Sequence, residues 1–114
     1  MLVSLGEKVH IVVKRSFETE LRRHFVGEIM AAEGVITRIE GYAFVFDTTR
    51  NVFVKKPEKR TSIIDLAESG YLVNIIPVQV NIDDLVYKQS TQRTMIITDD
   101  KGFSLEINEF GTNR

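Results

Sequence analysis

Two histidines, His10 and His24, head the residues of this chain whose side chains could handle a proton or a metal ion. Neither stands in an HExxH motif, and the two are not spaced to share one helix face, so a three-ligand metal site would have to recruit distant carboxylates. His24 follows Arg22 and Arg23, a cationic setting that favours a neutral imidazole or an anionic ligand. The plainer reading of both is a hydrogen-bonded or solvated edge residue. Cysteine is absent, which removes thiolate nucleophiles, thiolate metal sites and disulfides together.

The acidic pairs Asp83-Asp84 and Asp99-Asp100 supply the oxygen donors a divalent cation takes, yet neither shows the repeated acidic spacing of a calcium loop. Asp99-Asp100 instead runs into Lys101-Gly102, as a hairpin turn does. Ser69-Gly70 has no nucleophile-elbow context, and the glycines are too scattered to cradle a phosphate. These groups lead us to expect no catalytic residue, no metal and no cofactor, and an enzyme is the weakest of the functional readings. Lys14, Arg15, Arg22, Arg23, Lys55, Lys56, Lys59 and Arg60 are better suited to an anionic partner, because phosphate contacts give affinity without reading sequence.

The stretch EGYAFVFD, residues 40 to 47, places Tyr42, Phe44 and Phe46 at every second position and hence on one face of an extended strand. That face is either a binding platform or part of a core. The octamer resembles the aromatic motif of the RNA-recognition motif family at Gly41, Tyr42, Ala43, Phe44 and Val45; it departs at Glu40, where a basic residue is expected, and at Asp47. The resemblance implies bases stacked on such rings. The family also requires a βαββαβ order with a second aromatic motif on its first strand, and HIVVKR at residues 10 to 15 carries no aromatic, so the chain is not assigned to it. Burial, worth about 1.5–3 kcal/mol per large side chain, is the expected use of the face.

The elements that must carry these residues read mostly as strands. Val9, Ile11 and Val13 alternate with His10, Val12 and Lys14. In SFETELRRHFVGEIMAAEG, Phe17, Leu21, Phe25 and Ile29 recur at helical spacing, so a short helix near residues 16–30 competes with a strand from about Arg23 to Ala32; Gly27 favours the strand. The heavy positions of the next stretch change from odd (Val35, Thr37, Ile39) to even (Tyr42, Phe44, Phe46), which predicts a β-bulge at Gly41. Residues 47–51 read as a turn, 51–56 as the return strand, Pro57 as its stop, and 61–66 with 71–76 as an antiparallel hairpin ended by Pro77. Residues 82–87 fit a helical turn or a short strand, and 99–102 separate two last β runs.

This pattern predicts one all-β domain over residues 1–114, a small antiparallel β-barrel or strongly curved meander sheet of about seven or eight strands, with residues 111–114 a flexible tail. An apolar fraction of 43% and a charged fraction of 27% suit a folded domain. The net charge of -1 conceals a basic first part, 11 Lys or Arg against 8 Asp or Glu over residues 1–60, and an acidic remainder, 4 against 8. Neither a signal peptide nor a membrane span is legible, so a cytoplasmic protein without membrane contact is expected. The expected role is a non-enzymatic structural or protein-interaction module that self-associates. The alternative is RNA or single-stranded DNA binding, with Tyr42, Phe44, Arg22, Arg23, His24, Lys55, Lys56, Lys59 and Arg60 as the contact residues.

Overall fold

Val9 and Ile11 are fully buried on one side of the first strand, β1 (Lys8–Val13), and His10 is fully buried on the other. A strand buried on both faces belongs inside a sheet, and β1 is indeed flanked by two neighbours. The computed structural model describes residues 3–14, 22–68 and 70–107, which form two antiparallel sheets. With β1, the strands β2 (Arg23–Glu33), β3 (Ile36–Asp47), β4 (Val52–Lys55), β5 (Arg60–Asp65) and β6 (Tyr71–Ile76) make a six-stranded sheet in the order β4-β3-β2-β1-β6. β5 shares the outer flank of β3 with β4. The strands β7 (Val86–Gln89), β8 (Met95–Thr98) and β9 (Ser104–Glu106) form a separate three-stranded sheet.

The all-β expectation holds for the described residues, but the barrel does not. β6 lies at one end of the larger sheet and β4 with β5 at the other, and among the described residues no ladder joins these ends, so the sheet is open and not strongly curled. Pro77 ends β6, and a 3-10 turn at Ile82–Asp84, capped by the Asn81 side chain on the Asp83 N–H at 2.9 Å, redirects the chain into the second sheet. The seven or eight strands expected are nine among the described residues. Residues 61–66 and 71–76 are strands but not each other's hairpin partners: β5 pairs with β3 and β6 with β1. Residues 82–87 contain both the turn and the start of a strand.

The possible helix near residues 16–30 is overturned from Arg23 onward, where β2 hydrogen-bonds to strands on both sides; residues 16–21 lie outside the described residues, as does the expected tail at 111–114. Two ladders outweigh the helical spacing of Phe25 and Ile29, because both residues also satisfy the period-two pattern of a strand. Among the described residues no helix is long and apolar enough to cross a membrane.

The change of heavy parity along β3 has a different cause from the expected bulge. Pairing runs without a break through Gly27↔Gly41, and the register shift sits on β2, between Ile29 and Ala31. β3 instead serves two cores in succession. Ile39 joins Val3, Val9, Ile11 and Ile29 on one face of the sheet, whereas Phe44 joins Val26, Phe53, Ile76, Leu85 and Ile97 between the sheets. Tyr42 and Phe46 pack against that second cluster, so the aromatic face is a core face.

Gly41 is needed for closeness. A Cβ there would lie 1.8 Å from the Val26 carbonyl oxygen and 2.5 Å from the Gly27 Cα, and both are backbone atoms that cannot swing aside. Gly41→Ala is therefore expected to destabilise the protein by about 1–3 kcal/mol or more, read from the urea midpoint at unchanged m-value. A wild-type midpoint would show that the strands part there freely.

Candidate functional site

The alternation of β1 and β2 sends His10 and His24 to the same face of the six-stranded sheet. His10 stands opposite Val26 and His24 opposite Val12, so the imidazoles are diagonal neighbours on adjacent strands. Asn74 of β6 is opposite His10, and Phe44 of β3 is opposite His24. Tyr87 of β7 meets this row from the second sheet. Its hydroxyl lies 2.7 Å from His10 Nε2 and also hydrogen-bonds to His24 Nδ1, while Asn74 Nδ2 is 3.2 Å from His10 Nδ1.

Aromatic rings enclose the group. The imidazoles meet edge to face at 5.3 Å, His24 stacks on Phe53 at 4.3 Å, and the Tyr87 ring lies 4.7 Å from Phe44 and 4.8 Å from Phe53. Both histidines are wholly removed from solvent. Burial, followed by the proximity of His24, holds His10 far below its usual range, at about 3.

The network assigns the protons. Asn74 Nδ2–H donates to His10 Nδ1, so the His10 proton sits on Nε2 and is donated to the Tyr87 oxygen; the Tyr87 O–H then donates to His24 Nδ1. The chain of donors runs one way while His10 Nδ1 and His24 Nδ1 both accept. A dissolved substrate has no access to either ring, so the arrangement works as a joint between sheets. Among the described residues no group of three His, Asp or Glu side chains is gathered to hold a metal ion.

A second polar cluster lies at the rim of the same interface. Tyr42 donates to Asp83 Oδ1 at 2.8 Å, the Lys59 ammonium is 3.1 Å from that oxygen, and Lys55 donates to the Asp83 carbonyl at 2.7 Å. The Lys55 ammonium sits 4.3 Å above the Tyr42 ring centre. The hydrogen bond to Asp83 pushes the Tyr42 phenol up, and the bonds from Tyr42 and Lys59 pull the Asp83 carboxyl down.

The residues that sequence patterning put forward for an anionic partner are thus divided. Tyr42, Lys55 and Lys59 come together, and the Arg22 guanidinium lies 5.7 Å from the Phe46 ring centre. Phe44 and His24 are buried, beyond reach of a base or phosphate. Arg23 and Arg60 pair in register with Val45 and Gly41, on the opposite face of the sheet, and Lys56, whose N–H bonds the Ala43 carbonyl, alternates with Lys55 onto that face too. Arg60 meets Glu58 at 3.4 Å. The single basic patch is divided by the sheet itself.

Sequence reasoning missed Tyr87 and Asn74, and considered Asp83 only as a cation or loop carboxylate, whereas it binds Tyr42 and Lys59. The one available signal was His10 standing between Val9 and Ile11: on a strand buried on both faces it needs a polar partner. Searches against protein-family models, curated proteins and solved structures find no match to the chain.

The two tyrosines give a paired test. Tyr87→Phe strands buried imidazole nitrogens, and each unsatisfied group costs about 1–3 kcal/mol, whereas Tyr42→Phe removes a rim contact and shifts the urea midpoint far less. Equal effects would refute the assignment of Tyr87 as the joint. The pH dependence has a definite sign. The His10 pKa falls from 6.5 to about 3 on folding, so its contribution is complete above 6.5 and is lost as pH falls through that window. The expected slope is about 1.4 kcal/mol per pH unit, measured by urea unfolding of wild type against His10→Gln.

Proposed function

We propose that the protein is a cytoplasmic, non-enzymatic interaction module that self-associates through the outer edge of β6. The observation that carries this reading is the character of that edge. β6 pairs with β1 on one side and stands last in the sheet order, its six residues YLVNII include no charge and no proline, and Leu72 and Ile75 are 62% and 53% exposed. Leu72 is paired with Val12 and Ile75 with Val9, so the exposed apolar groups lie on both faces of the strand.

Natural sheets guard such edges with lysine, proline or a break in the strand. The opposite end of this sheet has all three: β4 ends at Lys55, Pro57 follows, and β5 begins only at Arg60. β6 has neither a lysine nor a break within its span, and its one proline, Pro77, follows the last residue. Antiparallel addition of a second β6 about a two-fold axis would satisfy the edge and continue the sheet.

Size-exclusion chromatography with light scattering tests the reading. Wild type is expected to run as a concentration-dependent dimer, and Ile75→Lys as a monomer with an unchanged circular dichroism spectrum. A wild-type monomer at every concentration would remove the proposal.

A second reading rests on Tyr42, which has the Lys55 and Lys59 ammonium groups 4.3 and 5.9 Å from its ring centre, an arrangement that would suit a stacked base and its phosphate. Asp83 weighs against it by neutralising charge at that point. Binding of single-stranded RNA that weakens as salt rises would support this second reading; no binding at low salt would end it.

A further inference from the structure

The hydroxyl of Tyr87 is one atom shared by two sheets. His10 and His24 belong to adjacent strands of the six-stranded sheet and Tyr87 to the three-stranded one, so both hydrogen bonds of that oxygen cross between layers. We propose that this joint is an acid-released clamp: an uncharged His10, sharing the Tyr87 hydroxyl with His24, holds the small sheet on the large one near neutrality, and proton uptake at His10 lets the small sheet go.

Proton counting supports the direction of the switch. A second proton on His10 must go to Nδ1, where Asn74 presents an N–H, so the present bond is lost and the amide has to turn over to accept. The imidazolium would then stand in a layer lined by Val26, Phe44, Phe53 and Ile97, where an uncompensated charge is strongly disfavoured.

Alternation identifies the charged groups on this face of the sheet. β1 contributes Lys8, whose ammonium is held by the Val78 and Val80 carbonyls, and β2 contributes Glu28 directly opposite Lys8, with Arg22 just ahead of the strand. β3 contributes Glu40 and, farther along the strand from Phe44, Arg38; β5 contributes Asp65 opposite Ile36, β4 contributes Lys55, and the turn before β7 brings Asp83 onto Tyr42. The corresponding positions of β6 are Leu72, Asn74 and Ile76; those of β7, β8 and β9 are Tyr87 and Gln89, Met95 and Ile97, and Leu105. The three-stranded sheet therefore brings no carboxylate on its side of the joint. Its ladders are also short, four residues in β7 and β8 and three in β9, against eleven and twelve in β2 and β3. Once unclamped, the small sheet is the part that yields.

Amide hydrogen exchange on the intact chain, corrected to protection factors, tests the clamp between about pH 7 and about pH 5. In wild type the β7–β9 amides are expected to lose protection about 25-fold in all over that range, the fall approaching about tenfold per unit only below pH 6.5, while those of β1–β3 hold. In His10→Gln, which keeps a donor toward Tyr87 but cannot titrate, β7–β9 protection should not change with pH. Loss of protection in both sheets together, pH-independent protection in wild type, or an equally steep fall in His10→Gln would each overturn the proposal. If His10→Gln does not fold, the wild-type comparison between sheets decides alone.

Discussion

A phenol oxygen placed between two buried imidazoles sets how the layers of this protein meet. The apolar contacts between the sheets, Phe44, Phe53, Val26 and Ile76 from one side with Leu85, Ile97 and Ile107 from the other, supply most of the attraction, but they are non-directional. The hydrogen bonds of Tyr87 add the direction. Both imidazoles are fully buried, and a small displacement of β7 along the large sheet would take the Tyr87 hydroxyl away from His10 Nε2 and His24 Nδ1. The polar rim, where Asp83 takes Tyr42 and Lys59, fixes the turn between β6 and β7 against β3 and β4 in the same way, with weaker, solvent-exposed contacts.

The large sheet meets a second constraint, which is that its central strands are buried on both faces. β3 resolves it by sequence. Its first half turns Thr37 and Ile39 into the cluster beneath the sheet, its second half turns Phe44 into the layer above, and Gly41 with Gly27 lets the two strands approach between those regions. The same logic explains the histidines. On β1, the even face looks into the intersheet layer, so His10 is a polar group in an apolar setting that must be matched by Asn74 and Tyr87.

The sheet ends are unequal for a physical reason. β4 and β5 are interrupted by Pro57 and bear Lys55 and Arg60, features that resist addition of another strand, while β6 keeps a regular, uncharged edge. Burial of the aromatic strand and the interaction proposed for the protein thus fall at different places. Tyr42, Phe44 and Phe46 serve the core, whereas Leu72 and Ile75, two of the exposed apolar side chains, stand on the β6 edge at the far end of the sheet.

Local order was legible in the chain. Alternation at Val9, Ile11 and Val13 and at Tyr42, Phe44 and Phe46 reads as strand because neighbours two apart share a face, and Gly102 at φ 111° marks a turn because other residues resist that backbone. That the aromatic face is core also followed from the area it would otherwise expose. What alternation cannot carry is the identity of the neighbour: β5 and β6 look like a hairpin, yet they join β3 and β1. Likewise Tyr87 lies 77 residues from His10 and 63 from His24, so no local signal links them. Each strand's periodicity was written in its own residues, but the choice of edges, the opening of the barrel into two sheets and the Tyr87 joint were decided only in three dimensions, because they depend on which distant apolar faces bury one another best and on which buried donors then find acceptors.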